Sequence, residues 1–391
     1  MAATSIITCS VQQVVDQIRF EEISSSGVRK VILNRPTKLN SINYEMVSKV
    51  LGAAEKYERD PAVSCIILKA NGKAFSAGGD VISVICSSLG GHWSYPVLFY
   101  RKILMASYLL ATFKKPVISL LQGIVIGGGA GLSIQTTFRI VTEKTIFSMP
   151  EASIGLFADV GASYFLSRLP GSFGEYLALT GARLDGPEMV ACGLASHFVL
   201  YKDLNLLEKA ICEQVSSSSN ASHISEIIEK FAQTPNLKQD SAFKRLETVL
   251  NRCFSRSTVE EILASLENEV TRGGEKWIKD AHVSMTSASP TSLKVTLKSI
   301  REGRSRNLEQ CLSREFFICG HMIQGMVNRD FYEGCRAFLF DKDKKPKWNP
   351  PSLEQVTEAM VNRFFEDIDD PDLGGPLKVP HRPHDLITAK L

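Results

Sequence analysis

The sequence predicts an α/β protein whose core is followed by a mostly helical C-terminal region. Short β-rich apolar runs alternate with helical-period segments through roughly the first 200 residues. Glycine and proline mark the joints between these segments. From Leu204 onward nearly every segment has helical period. Strand, helix, strand order in the first part implies parallel pairing with right-handed crossovers.

Taken in order, residues 28–33 read as a strand, stopped by Asn34-Arg35-Pro36. Residues 43–57 read as an amphipathic helix: Met46, Val47, Val50, Leu51 and Ala54 share one stripe, and Ser41 or Asn43 can cap it. A β-rich run at 64–68 leads toward a first glycine turn, and a second helix spans about 95–113. Lys115-Pro116 ends that helix, residues 117–121 form a buried strand, and a second glycine turn follows with a short helix at 130–134. Further short strands are expected at 138–142, 146–148 and 197–200. Helical segments then run over 204–215, 224–231, 241–253, 259–270, 290–300 and 308–326. The serine run 216–219 reads as a solvated joint, and the charged, Pro-rich 341–351 as an extended surface segment. The organisation expected is a core at 10–202, a helical region at 203–370 and an exposed tail at 371–391.

Composition excludes several classes. The chain of 391 residues is 44% hydrophobic and 22% charged, with a net charge of +3. That is ordinary globular material, without the basic stripe of a nucleic-acid binder or the acidic block of a disordered tail. No apolar run reaches membrane-spanning length. The nine cysteines are scattered without a C-x-x-C pair, and the seven histidines form no second pair at zinc spacing. Reduced thiols, no metal and no disulfide framework are expected. The first 20 residues lack the features of a secretory signal or an Arg-rich transit peptide. The final Ala389-Lys390-Leu391 is close to the Ser-Lys-Leu address read by the peroxisomal import receptor. Peroxisomal delivery is expected from it, with cytoplasm or mitochondrion as alternatives.

The chemistry lies in two turns and two acids. The turns are Phe75-Ser76-Ala77-Gly78-Gly79-Asp80 and Ile126-Gly127-Gly128-Gly129-Ala130-Gly131. Glycine permits a sharp turn and leaves its N–H uncovered. Amides at a helix start favour negative charge. One donor from each turn, Gly79 and Gly128, would make an oxyanion hole; the alternative is that the glycines only allow close helix–strand packing. Glu151 follows Pro150, and Asp159 follows the apolar stretch Leu156-Phe157-Ala158. A carboxyl held in an apolar pocket has its pKa raised by desolvation. Neither turn is a nucleotide fingerprint, and no G-x-S-x-G supports a serine esterase.

These residues carry a resemblance. Asn34-Arg35-Pro36-x-x-x-Asn40-Ser41, the two glycine turns and Pro150-Glu151 resemble the crotonase (enoyl-CoA hydratase/isomerase) superfamily. Pro150-Glu151-x-x-Ile154-Gly155-Leu156-Phe157-x-Asp159-Val160-Gly161, with Phe331-x-Glu333-Gly334-x-Arg336-Ala337, is similar to its 3-hydroxyisobutyryl-CoA hydrolase branch. The resemblance implies a ββα spiral core that binds an acyl-CoA thioester, with coenzyme A part of the substrate and no further cofactor. It implies that Gly79 and Gly128 grip the thioester oxygen and that the Ala77 carbonyl, beside Gly78, meets the adenine amino group. It implies Glu151 as the principal carboxylate, either attacking the thioester or activating water. Asp159 would orient the substrate hydroxyl or assist thiolate departure. Lys38 is a candidate for a CoA phosphate. Hydratases of the superfamily carry a second glutamate where this chain has Gly131, which argues for hydrolysis.

The reaction expected is hydrolysis of 3-hydroxyisobutyryl-CoA or a similar short branched hydroxyacyl-CoA, as in valine degradation. The alternatives are an enoyl-CoA hydratase/isomerase and a non-catalytic acyl-CoA-binding relative. Some hydrolases of the branch have a Glu in the helix before the second turn, where this chain reads Arg101-Lys102-Ile103, and Ala158 replaces a Pro. Met149 and Phe157 either line the pocket or pack structurally. His197 reads as a core-edge histidine, and Cys65 and Cys192 as inert core thiols. Oligomeric state is left open.

Overall fold

A computed structural model describes residues 16–23 and 26–383. The terminal tripeptide Ala389-Lys390-Leu391, Cys9 and the N-terminal segment before residue 16 lie outside the described residues.

The strands are β1 (Ile18–Glu22), β2 (Val28–Leu33), β3 (Cys65–Ala70), β4 (Ala74–Ser76), β5 (Val117–Leu121), β6 (Ile124–Ile126), β7 (Phe138–Val141), β8 (Ile146–Ser148), β9 (Leu184–Asp185) and β10 (His197–Phe198). The helices of the first half are α1 (Tyr44–Arg59), α2 (Val81–Gly90), α3 (Ser94–Ala111), α4 (Gly128–Ser133), α5 (Ala162–Phe165), α6 (Phe173–Thr180) and α7 (Gly186–Ala191). Then come α8 (Leu204–Gln214), α9 (Ala221–Glu229), α10 (Asn251–Phe254), α11 (Val259–Thr271) and α12 (Lys276–Ser287). The last are α13 (Pro290–Gly303), α14 (Leu308–Gln324), α15 (Asp330–Cys335) and α16 (Glu358–Arg363).

Two sheets take alternate strands. One runs β1-β2-β3-β5-β7-β10, parallel except for the antiparallel β1 edge. The other runs β4-β6-β8-β9, parallel except at β9. The chain therefore steps from one sheet to the other three times, β3 to β4, β5 to β6 and β7 to β8. This is the ββα spiral.

The larger sheet is buried on both faces, which explains its nearly unbroken apolar strands. On β3, Ile66, Leu68 and Ala70 enter the main core, while Cys65 and Ile67 face the other way. That second face is covered by Leu204, Leu207 and Ile211 of α8 and Ile224, Ile227 and Ile228 of α9. The main core runs without a break from α1 and α3 into α11, α13 and α14. The Arg101 guanidinium lies over the Phe316 ring at 4.5 Å, one of the contacts that join α3 to α14.

Local physics accounts for most boundaries. Asn43 caps α1 by accepting from the Met46 amide at 2.9 Å. Asp185 and Glu188 form a reciprocal capping box at α7. Three expectations need correction. Helices α2 and α12 were not expected: β-branched residues crowd the start of α2, which Asp80 nonetheless caps. On α12 only Ile278, Ala281 and Met285 are buried. The single helix expected at 241–253 is a 3-10 turn, a π turn and α10 in succession.

The third correction concerns the tail. Residues 371–383, expected to be exposed, are exposed at most positions, but Leu373, Leu377 and Arg382 dock against α3 and α1. Leu373 and Leu377 are buried, and Arg101 donates to the carbonyls of Leu373, Gly375 and Pro376. Arg382 is buried against Glu58, with Nη2 at 3.0 and 2.9 Å from its two oxygens, and donates to Thr112. Glu58 and Thr112 sit too far upstream for any local pattern to reveal this. Among the described residues no helix is long and apolar enough to cross a membrane.

Candidate active site

The first turn is built by the Asn34-to-Ser41 motif. Asn40 is fully buried; it donates to the carbonyls of Asn71 and Ala74 and accepts from the Arg35 amide. Arg35 in turn binds Asp80 at 2.6 Å. Ile42 pairs with Gly79, its amide donating to the Gly78 carbonyl and its carbonyl accepting from the Asp80 amide. Gly78 has φ 101°, a left-handed angle only glycine takes readily. Its own N–H donates to Ser76 Oγ at 3.2 Å. That pairing leaves the Gly79 N–H pointing away from Ile42.

The second turn has Gly127 at φ 47°, ψ −117° before α4. The two turns touch: a Cβ built on Gly128 would lie 3.2 Å from the Gly79 nitrogen. One built on Gly127 would lie 2.7 Å from Glu151 Oε1. Among the described residues neither the Gly79 nor the Gly128 amide donates to the protein. Two amides and one carboxyl therefore meet at one point. They open on a cavity of about 300 Å³ lined also by Phe99, Tyr100, Ile103, Leu156, Asp159 and Val160. Leu339, from the C-terminal region, closes one side.

Glu151 opens a 3-10 turn after β8 and is 6% exposed; Asp159 is 4% exposed. Glu151 Oε2 has no partner among the described residues. Burial, with the Asp159 charge behind it, pushes Glu151 well above the ordinary carboxylate range. Burial, with Glu315 behind it, does the same to Asp159.

The structure brings Glu151, Asp159, Gly78, Gly79, Gly128 and Ala77 to one cavity. Lys38 is exposed on the adjoining loop, outside the cavity. The Ala77 amide donates to the Leu39 carbonyl at 2.9 Å, which ties that loop to the turn. Met149 and Phe157 are fully buried and do not line the cavity, so their role is packing. Gly131 is buried against Val160; a Cβ there would sit 2.5 Å from Val160 Cβ. The space a hydratase glutamate would need is thus filled. Arg101 turns away to the docked tail. His197 meets Ser196 and Glu229 at the sheet edge, and Cys65 and Cys192 are buried.

Sequence reasoning missed Phe99, Tyr100 and Ile103, which lie on one face of α3 with nothing to separate them from core. It also missed Glu315 and Leu339, more than 150 residues from the turns they approach. Among the described residues no cluster of histidine, cysteine and carboxylate side chains could hold a metal ion.

Paired free amides beside a buried carboxyl, on a ββα spiral, form a site suited to holding a carbonyl oxygen on which negative charge develops. The family model described as enoyl-CoA hydratase/isomerase matches residues 28–365. The chain is 48% identical over 366 residues to 3-hydroxyisobutyryl-CoA hydrolase 1 of Arabidopsis thaliana, covering 94% of this chain and 95% of that one. It is 38% identical over 361 residues to the human 3-hydroxyisobutyryl-CoA hydrolase, named mitochondrial, covering 92% and 90%. A solved carnitinyl-CoA dehydratase from Mycobacterium thermoresistibile superposes with a TM-score of 0.82 at 28% identity, covering 93% of this chain and 99% of that one. The chain belongs to the enoyl-CoA hydratase/isomerase superfamily and, within it, to the 3-hydroxyisobutyryl-CoA hydrolase branch.

Proposed function

We propose that the protein is an acyl-CoA thioester hydrolase that releases free CoA from 3-hydroxyisobutyryl-CoA or a similar short branched hydroxyacyl-CoA, a reaction of valine degradation. The observation that carries this is the convergence of the Gly79 and Gly128 amides beside Glu151. The thioester oxygen accepts from both amides, and the negative charge that grows on it in the tetrahedral transition state strengthens those bonds. Glu151 then either attacks the carbonyl carbon, giving an anhydride that water opens, or takes a proton from the attacking water. Both routes release CoA and the free acid.

Asp159 orients the substrate hydroxyl or assists the departing thiolate. A thiolate is a good leaving group, so the second role is light. Ala77 offers its carbonyl to the adenine, Gly78 supplies the turn, and Lys38 meets a CoA phosphate. Coenzyme A enters as part of the substrate, and the reading calls for no further cofactor. Hydration of a double bond is disfavoured because Val160 occupies the place of a second glutamate beside Gly131.

The test is CoA release from a panel of short acyl-CoAs including 3-hydroxyisobutyryl-CoA, with crotonyl-CoA hydration measured in parallel. Thiol release that is lost in Glu151→Gln while CoA binding persists supports hydrolysis. Crotonyl-CoA hydration without thiol release would overturn it. Delivery to peroxisomes rests on Ala389-Lys390-Leu391 alone, and the human relative's mitochondrial name favours the other compartment. A fluorescent protein fused upstream, with and without the tripeptide, decides between them.

A further inference from the structure

Glu315 lies on α14 and is fully buried, yet it faces the loop that carries Asp159. Its Oε2 accepts from the Gly161 amide at 2.6 Å. Its Oε1 accepts from the Ser163 amide at 3.0 Å and from the Ser163 hydroxyl at 2.5 Å. These donors follow Asp159 directly. Between them and Asp159, Val160 is held at φ 54°, an angle a β-branched residue adopts only when its surroundings impose it.

A carboxylate that receives three such bonds is the favoured seat of a buried negative charge. Asp159 is served far less well. Among the described residues it receives only its own main-chain amide and, at 4.0 Å, the Cys319 thiol, and of the two cavity carboxyls it is the one on which the Glu315 charge bears. The titratable groups facing it are Glu151 from the turn after β8, Tyr100 from α3, and Glu315 and Cys319 from α14. None of these is a cation. Cys311 and Arg314 of α14 also face Glu315, but the Arg314 guanidinium is committed to Glu302 and the Ser299 carbonyl.

We propose that Glu315 is a positioning residue: it fixes the Asp159 loop from behind and makes Asp159 the proton-bearing member of three buried carboxyls. The proposal rests on the thioesterase reading and sorts the roles within it. Asp159, neutral, donates a hydrogen bond toward the substrate. Being neutral, it no longer opposes the ionisation of Glu151, which must be charged to attack or to activate water. One charge outside the cavity thus divides acid from base inside it.

The experiment is the pH dependence of kcat/KM for CoA release in wild type, Glu315→Gln and Ser163→Ala. Removing the Glu315 charge should let Asp159 ionise earlier. The alkaline limb of Glu315→Gln then moves to lower pH by about one unit or more, roughly a tenfold loss where wild type is still level. Ser163→Ala keeps the charge and should keep the limb. A uniform fall in rate with the limb unmoved in Glu315→Gln, or an equal movement in Ser163→Ala, would overturn the proposal. Infrared difference spectra of wild type against Asp159→Asn need no turnover and do not depend on the folding of Glu315→Gln or Ser163→Ala. A protonated-carboxyl band present at neutral pH in wild type and lost in Asp159→Asn supports the proposal; its absence from wild type overturns it. A wild type that releases no CoA from any acyl-CoA defeats the thioesterase reading instead, and the infrared test still stands.

Discussion

Gly128→Ala separates catalysis from folding. Gly128 begins α4 and is not held at a left-handed angle, so alanine meets no backbone strain. In a helix alanine is favoured over glycine by about 1 kcal/mol. The new methyl would lie 2.9 Å from Ile103 Cδ1, the free end of a flexible side chain. Moving that end off its rotamer costs about 0.5–1.5 kcal/mol. The two nearly cancel, and the melting temperature should barely change. The same methyl would stand 3.2 Å from the Gly79 nitrogen. An oxyanion must sit at about 2.7–3.1 Å from that donor, so methyl and oxyanion compete for one volume. Loss of one donor costs about 3–4 kcal/mol of transition-state stabilisation, a fall of roughly 10²–10³ in kcat. The assay is CoA release followed with a thiol reagent, beside a thermal melt. A kcat within about threefold of wild type in a fully folded variant would refute the oxyanion-hole assignment.

Other perturbations should behave as follows. Glu151→Gln should lose activity yet gain stability. A carboxyl whose folded pKa is raised opposes folding above its unfolded pKa, so the gain, about 1–3 kcal/mol, appears at neutral pH and vanishes in acid melts. Activity of wild type should fall as pH drops through the raised Glu151 pKa, because the ionised form is the working one. Gly131→Glu should fail to produce a hydratase: its Cβ would meet Val160 Cβ at 2.5 Å, and overpacking costs about 1–3 kcal/mol or more, read as a lower melting temperature with no crotonyl-CoA hydration. Arg382→Ala leaves Glu58 buried without its partner and should destabilise the fold by about 3 kcal/mol in urea titration, without altering KM.

The alternation of strands and helices was legible because its signals are local, whereas the spiral itself was implied by the resemblance. Gly78 and Gly127 are demanded by backbone angles, and Pro150-Glu151 follows a short strand that Ile146 and Phe147 announce. Of the expected helix stripe, Met46, Val47, Val50 and Ala54 are buried on α1 and Leu51 is half-buried; Tyr57, which the stripe lacked, is buried with them. What stayed hidden is non-local. Tyr100 repeats the period of its apolar neighbours on α3, so nothing distinguished a cavity-lining hydroxyl from core. Glu315 is one acid in a long amphipathic helix and gains its meaning only from Gly161 and Ser163.

The boundary drawn near residue 202 marks a change of composition, and the packing argues that it does not mark a unit able to fold alone. The turn that presents Glu151 is held by the C-terminal region: the Ser289 amide donates to the Ala152 carbonyl, and Ser289 Oγ binds the buried Asp330 at 2.6 Å. A Cβ on Gly155 would strike the Asp330 carbonyl at 2.2 Å, and one on Gly334 the Ile154 carbonyl at 2.2 Å, so the two segments touch backbone to backbone. Truncation after residue 202 would also uncover Val28, Ile67, Ile118 and Ile140, which α8 and α9 now cover. A sheet bared on that face, with α3 bared toward α14, exposes a contiguous apolar surface that favours aggregation. A chain of residues 1–202 should therefore show no cooperative melt and should bind a hydrophobic dye. A sharp thermal transition in that fragment would mean that the C-terminal helices are an accessory to the catalytic turn and not its support.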